Sequence, residues 1–344
     1  MWISKKQMIA HAYSVLYYLR YKRLLNIIKL VASFYLSRII KKPVIWGSPW
    51  SLSVEPSGQC NLQCPECPVG AGVLTRKGGM MTPKLFEKIL NESSPQLSYI
   101  NLYFQGEPLL NPKLDQIIKL ASQKNIYTTL STNGHQLSSA KCKSLVLGGL
   151  TKLIISIDGL TQKSYSKYRK GGNLEKVKQG INNLIQERQI LKSKTPYLIV
   201  QFIVFKHNEH EIPELRKWCS QMGIDKLELK TAQFYNFGHE EVQPPSNNKY
   251  SRYLPTQNNK LILKGKAHNH CFKQWGSTVV SWDGRIAPCC YDKDLVFSPG
   301  NIKNTSLKEI WINDSLNQYR MQILKNKNAI EICKNCTEGR KWLI

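Results

Sequence analysis

Cys60-Asn61-Leu62-Gln63-Cys64-Pro65-Glu66-Cys67 places three cysteines within eight residues, and the reading of that stretch decides the fold of the chain. Three closely spaced thiolates suit three irons of a [4Fe-4S] cluster, and the stretch supplies no fourth thiolate for the remaining iron. That iron is then open to another ligand. A zinc knuckle or a redox pair built on Cys64-Pro65-Glu66-Cys67 is the plainer alternative, but neither uses Cys60. The residues downstream of the triplet decide between them.

Beyond it, apolar runs at Leu52–Val54, Tyr99–Phe104, Tyr127–Leu130, Leu153–Ile157, Leu198–Phe205 and Leu227–Leu229 have the length and continuity of buried strands, the first of them just ahead of the triplet. Helical patterns separate them, for example from Pro83 through Leu90 and from Pro112 through Leu120, each opened by a proline. Strand and helix alternate about six times, which predicts a parallel sheet with right-handed crossovers. The expected fold is α/β: a partial (β/α)6 TIM-like barrel, a small C-terminal cysteine-rich α+β domain and an amino-terminal basic amphipathic helix. In such folds the chemistry sits at the carboxyl ends of the strands.

The distinctive residues fall at those ends. Gln105-Gly106-Glu107-Pro108 follows the second run, Ser131-Thr132-Asn133-Gly134 the third and Ser156-Ile157-Asp158-Gly159 the fourth. Singly, Asn-Gly and Asp-Gly are ordinary turn dipeptides. In this order, behind the cysteine triplet, they resemble the motifs of the radical S-adenosylmethionine (SAM) superfamily. The resemblance implies that the open iron chelates the amino and carboxylate groups of SAM, and that one electron from the cluster breaks a carbon–sulfur bond to release a 5′-deoxyadenosyl radical. It also implies a SAM-binding set. Gln105, Gly106, Glu107 and Pro108 match the motif that holds the amino group. Ser131 and Asn133 match a following tripeptide. Ser156, Asp158 and Arg169 match the positions near the ribose or carboxylate. Two departures stand out: Gln105 replaces a glycine, and Glu66 replaces the aromatic or bulky apolar residue usual before the third cysteine. Adenine packing then falls to a residue such as Val204 or Phe205, both equally suited to the core.

Of the other cysteines, Cys142 and Cys219 stand alone in helical patterns and read as small buried apolar residues. Cys271, Cys289, Cys290, Cys333 and Cys336 gather after residue 270, with a Trp282-Asp283-Gly284 turn between the first two. This pattern resembles the start of the SPASM domain of peptide-modifying radical SAM enzymes, in the shorter "twitch" form. The resemblance implies a second, auxiliary [4Fe-4S] cluster held by Cys271, Cys289, Cys333 and Cys336, with Cys290 as the alternative to Cys289. A structural four-cysteine zinc site is the competing reading.

The two cysteine clusters divide the chain into a basic helical extension (1–48), a barrel (49–235), a linker rich in Pro, Ser, Asn and Gln (236–260) and the auxiliary domain (261–344). No secretory signal is apparent, and paired cysteines in a chain of 344 residues point to metals and a cytoplasmic setting rather than disulfides. Residues 1–54 hold nine Lys or Arg and no Asp or Glu. Polar residues recur there at helical spacing, Gln7, His11 and Ser14, then Lys22, Asn26, Lys29, Ser33 and Ser37, among Leu, Ile, Val, Tyr and Phe. Such a helix either lies on an anionic membrane surface or packs its apolar side on the barrel. Its longest uncharged run, Gln7 to Leu19, is too short to span a bilayer. The net charge of +26 is spread along the chain, which argues against a nucleic-acid groove.

The expected enzyme therefore abstracts hydrogen from a substrate held between barrel and auxiliary domain. A reductant such as flavodoxin or ferredoxin feeds the first cluster, and the auxiliary cluster relays an electron. Asp283, Tyr291 and Asp292 lie near the auxiliary ligands and are candidate proton acceptors, though turn residues in such positions are commonly exposed and inert. With no peptide-recognition domain ahead of the barrel, the favoured substrate is a small molecule, sugar or lipid-linked compound. Peptide modification is the alternative. A non-catalytic iron–sulfur protein accounts for the cysteines but not for the strand-end motifs.

Overall fold

The computed structural model describes residues 18, 20–93, 95–235, 237, 241–254, 261–338 and 340–341. Gln7, His11 and Ser14 of the amino-terminal pattern, and parts of the linker including Asn236 and Lys260, lie outside them.

All six apolar runs form strands. They are β1 (Ser51–Val54), β2 (Tyr99–Asn101), β3 (Tyr127–Thr132), β4 (Lys152–Ser156), β5 (Tyr197–Val204) and β6 (Lys226–Thr231), paired in that order and all parallel. Leu130, Leu153, Ile155, Leu198 and Val200 are fully buried because helices cover the sheet, as the unbroken apolar runs require. β2 is shorter than its apolar run. After Asn101 the chain leaves the ladder and turns into Gln105–Pro108, which aims that motif at the strand ends.

The crossover helices follow from their local chemistry. In α2 (Pro83–Ser93), Pro83 starts the helix, the Thr82 hydroxyl accepts from the Leu85 amide at 3.2 Å, and Leu85, Phe86, Ile89 and Leu90 bury one face. Burial of each such side chain stabilises by about 1.5–3 kcal/mol. α3 (Leu114–Gln123) buries Leu114, Ile117, Ile118 and Ala121 at the same spacing. The remaining crossovers are α4 (Ser139–Leu147), α5 (Gln162–Tyr168), α6 (Leu174–Ile190) and α7 (Ile212–Gln221).

The carboxyl-terminal segment is fused to this frame. It contains two short hairpin-like sheets, β7 (Tyr253–Leu254) with β8 (Ile262–Leu263), and β9 (Lys266–Ala267) with β12 (Arg340–Lys341). A short helix (Lys273–Gly276) then leads into β10 (Ser277–Val280), which pairs in parallel with β1, Ser51 opposite Ser277. β11 (Ile286–Ala287) returns antiparallel through the Trp282-Asp283-Gly284 turn, completing an eight-stranded sheet ordered β11-β10-β1-β2-β3-β4-β5-β6. Gly284 has a φ of +89°, which the turn demands of a residue without Cβ. Helices Leu307–Ile312, Asp314–Asn326 and Glu331–Lys334 close the end of the chain.

The amino-terminal helix α1 (Tyr21–Ile40) docks in the opposite sense from an apolar-face-down arrangement. Arg23, Asn26, Ser33 and Ser37 are buried with Leu30 and Phe34, while Leu24, Ile28 and Ile39 face outward. The polar residues are anchors. Arg23 donates to the carbonyls of Lys124 and Asn125, Asn26 pairs with the backbone of Ser48, and Ser37 takes the Trp275 Nε1 proton at 3.2 Å. Of the two arrangements expected for this helix, packing of its broad apolar side on the barrel is not what the structure shows: the polar anchors, together with Leu30 against Trp311 and Leu316 and Phe34 against Trp275 and Leu324, fix the helix, and most of its apolar side faces outward.

Candidate active site

The loop after β1 carries the triplet and is pinned from three sides. Gly70 lies so close to Cys64 that a Cβ there would meet its backbone at 2.5 Å, and Gly106 (φ +70°) is pressed as tightly against the carbonyls of Ser57 and Gln59. The Glu107 amide donates to Gln59 at 2.7 Å, so the loop that carries Cys60 is fastened to the motif after β2. The Glu107 carboxylate is fully buried and accepts from the Leu109 amide, the Thr132 hydroxyl and the Asn133 amide at 2.7–3.0 Å. Burial raises its pKa, while those donors oppose the shift. Its function in the fold is to brace the motif after β3 against the motif after β2.

Asn133, so held, donates to Asn61 at 2.8 Å and approaches the Cys60 sulfur at 3.9 Å. Asp158 at the end of β4 is buried between Arg169 Nε, at 2.5 Å, and the Ile203 amide, at 2.6 Å. Arg169 then reaches the Cys64 sulfur at 3.8 Å. Burial alone would lower the Arg169 pKa, yet the Asp158 carboxylate and the Cys64 thiol hold it well above the ordinary arginine value. Gln105 is buried and donates to the Phe104 carbonyl, Pro108 opens a short helical turn, and Ser131 and Ser156 stand on the same strand ends.

Three thiols within electrostatic range of one another, approached by the Leu62 amide, Asn133 and Arg169, fit a cluster whose sulfurs accept hydrogen bonds. Burial raises the Cys60 thiol pKa and pushes that of Cys64 up to about 12, so cluster loading has to displace protons there.

Glu66, the departure inside the triplet, is buried and accepts from the Tyr235 amide at 2.8 Å. It ties the cysteine loop to the segment after β6. Val204 belongs to the main core, whereas Phe205 packs with Cys64 and Tyr168, its ring 4.7 Å from that of Tyr168.

The five carboxyl-terminal cysteines form a second group. Burial raises the Cys289 thiol strongly, with Cys290, Cys271 and Cys333 adding to the shift, and raises that of Cys271 to about 11. Burial also raises the Cys290 thiol, with Lys273 opposing the shift and Cys336 adding to it. The amides of Tyr291 and Glu338 point at the sulfurs of Cys289 and Cys336, both at 3.4 Å. Among the described residues no three His, Cys, Asp or Glu side chains converge on a single-ion position.

Between the two groups opens a cleft of 680 Å³, walled by Pro68 and Leu74 of the cysteine loop, Phe234 and Tyr235 after β6, and Tyr291 and Lys293. Of the three residues expected to handle protons, Asp283 is a correction. Its carboxylate is spent on Ser281 and Arg285 within the hairpin turn and does not line the cleft. Asp292 lies in the wall, but its carboxylate accepts from the amides of Val296 and Phe297. Tyr291 lines the cleft, its hydroxyl pushed up to about 12 by burial.

The sequence reading missed Lys293. Its Nζ sits 4.0 Å from the Tyr235 ring centroid, within electrostatic range of both Cys67 and Cys290, and burial lowers its pKa to about 8. It makes no ion pair among the described residues. Also missed was the buried bidentate pair of Arg76 with Glu55 (2.6 and 2.9 Å), from which Arg76 Nε reaches the Lys293 carbonyl and locks the two domains together. A basic residue directly behind the cysteine pair was the available signal for Lys293. Glu55 and Arg76 left none.

Comparison with known proteins agrees with this arrangement. The model of the radical SAM superfamily matches residues 54–219, and that of SPASM, an iron–sulfur cluster-binding domain, matches residues 271–337. A PqqA peptide cyclase of Gluconobacter oxydans is 25% identical over 86% of this chain and 84% of its own length. SuiB of Streptococcus suis bound to S-adenosylmethionine superposes with a TM-score of 0.64 at 17% identity, covering 86% of this chain and 74% of that one. The anSMEcpe enzyme with bound AdoMet gives 0.57 at 18% identity, covering 85% and 88%. At these identities the two structures share the fold. The matched domains use a [4Fe-4S] cluster with SAM and additional iron–sulfur clusters. The chain accordingly carries a radical SAM domain followed by a carboxyl-terminal SPASM domain, and is an enzyme that uses radical chemistry.

Proposed function

We infer that this enzyme modifies a peptide or protein rather than the small molecule expected from sequence. The observation that carries the reading is the peptide cyclase relative, aligned over 86% of this chain and 84% of its own length. When bound, the cluster and SAM at Cys60, Cys64 and Cys67 supply the radical that takes a hydrogen atom from the substrate. The chain's own residues do the positioning. Asp158 fixes Arg169 beside Cys64, Glu107 fixes Asn133 beside Cys60, and the remaining SAM-set residues stand on the same strand ends. The peptide lies in the cleft between the cysteine groups, where Phe234, Tyr235 and Tyr291 exclude water. Lys293 Nζ, a cation lacking a carboxylate partner there, anchors a carboxylate or carbonyl of the peptide. Cys271, Cys289, Cys333 and Cys336 hold the auxiliary cluster.

The test is anaerobic reconstitution, reduction with flavodoxin or dithionite, and incubation with SAM and short peptides, including any encoded beside the gene. Formation of 5′-deoxyadenosine coupled to hydrogen loss from a peptide supports the reading. Coupled turnover of a sugar or lipid-linked compound, with peptides inert, returns the substrate to the small-molecule class.

A further inference from the structure

The side of α1 turned away from the body is apolar. Tyr21, Leu24, Leu25, Ile28, Val31, Tyr35 and Ile39 are between 36% and 77% exposed. At about 100° per residue they fall in one band about 120° wide, on the side opposite Leu30. Lys22 and Lys29 border the band on one edge, Arg20 and Arg38 on the other, and Lys41 and Lys42 follow the helix. Single exposed apolar residues are ordinary, but seven on one helix face form a continuous patch of the kind that marks an interaction surface.

The helix terminus adds a second feature. Arg38, Lys41, His268 and His270 line a 550 Å³ hollow with Tyr35 and Ile39, and no carboxylate takes part. The Arg38 guanidinium lies 5.6 Å over the rings of both Phe34 and Tyr35. A cationic hollow directly beside an apolar band has the chemistry of a phosphate headgroup next to an acyl layer.

Charge selects among the possible occupants. Residues 1–54 carry nine basic and no acidic side chains. A second copy of this face would bring like charges together. Among the described residues, α1 included, no helix is long and apolar enough to cross a membrane. We propose that α1 is a docking helix for an anionic lipid surface, lying in the headgroup plane with its apolar band in the acyl boundary and the hollow of Arg38 and Lys41 receiving a headgroup phosphate. The polar anchors Arg23, Asn26 and Ser37 then have a purpose: they fasten the helix to the enzyme without using its outward apolar band.

The experiment is co-sedimentation of the full-length, cluster-loaded enzyme with phosphatidylglycerol vesicles and with phosphatidylcholine vesicles. Binding is expected to the first and not the second, and to weaken at least about tenfold in I28D/I39D and in K22E/K29E. These residues are exposed, so melting temperature and uncoupled 5′-deoxyadenosine formation stay at parental values, which separates lost docking from lost folding. Absence of binding to phosphatidylglycerol vesicles overturns the proposal, as does binding that both variants retain. A concentration-dependent dimer without vesicle binding, dissociated by I28D/I39D, assigns the face to a second copy and overturns it equally.

Discussion

Replacing Asp158 by Asn tests whether the strand-end motif works through Arg169. Asp158 is fully buried, the Arg169 side chain is only 14% exposed and their contact is 2.5 Å long, so the substitution leaves a largely buried guanidinium facing a neutral amide, with the Cys64 sulfur at 3.8 Å. Breaking a buried pair in this way costs about 3–5 kcal/mol. Unfolding entropy near 2.1 cal/mol/K per residue gives roughly 0.7 kcal/mol/K for a chain of this length, so the midpoint should fall by about 4–7 °C. The double variant D158L/R169M removes both charges. It should recover to within about 2 kcal/mol of the parent, because a buried pair replaced by apolar groups is close to neutral. Function should not recover with it. D158N frees the cation beside Cys64 from the carboxylate that fixes it and D158L/R169M removes that cation altogether, and loss of one charged contact weakens SAM binding about 10- to 100-fold. Anaerobic thermal melts and 5′-deoxyadenosine yield measure the two effects separately. A D158N protein that melts within about 1 °C of the parent, or a double variant whose cost is the sum of the singles, refutes the reasoning.

The parent should hold about eight irons per chain, and C60A/C64A/C67A about four with no SAM cleavage, by iron assay and chromatography; four irons plus one zinc in the parent would remove the auxiliary cluster and leave the SAM site standing. Lys293→Met should raise the peptide KM at least about tenfold while uncoupled SAM cleavage persists, and equal losses in both would make Lys293 a structural residue of the cleft. His207, stacked on Phe205 at 5.4 Å, has its pKa lowered to about 4 by burial, with Lys167 and His210 adding to the shift. The folded state therefore binds fewer protons than the unfolded one between pH 6.5 and 4, and stability present above 6.5 is lost as pH falls through that window. Discounted for its half-exposed ring, the loss is about 1–2 kcal/mol, and His207→Phe should flatten it in urea titrations across that range.

The barrel strands and their order were readable because a parallel strand covered on both faces must be apolar without interruption. The motifs at the strand ends were readable for a related reason: each turn out of a buried strand is short and constrained, so its residues stay adjacent in sequence. Glu107 and Asn133 bond the cysteine loop directly, and Asp158 reaches it through Arg169. Glu107, however, spends its whole carboxylate bracing Thr132 and Asn133, a role visible only once two loops 25 residues apart are brought together. Asp283 misled for the converse reason. Its place beside the cysteines suggested the cleft, but side chains two residues away on either side claimed its carboxylate first.

What stayed hidden depends on long-range pairing of single charges. Glu55 and Arg76 stand 21 residues apart with no periodic pattern around them, and β10 pairs with β1 across more than 200 residues. The helix α1 shows the limit most clearly. Its period was correct, with Asn26, Ser33 and Ser37 on one side and apolar residues on the other, yet periodicity says only that a helix has two faces. Which face goes inward was decided by partners elsewhere: the carbonyls of Lys124 and Asn125, the Ser48 backbone and Trp275 Nε1. Three polar anchors, with Leu30 and Phe34 seated among Trp311, Leu316, Trp275 and Leu324, set the inward face. The same balance leaves that apolar face, with its basic borders, outward beside the enzyme's body.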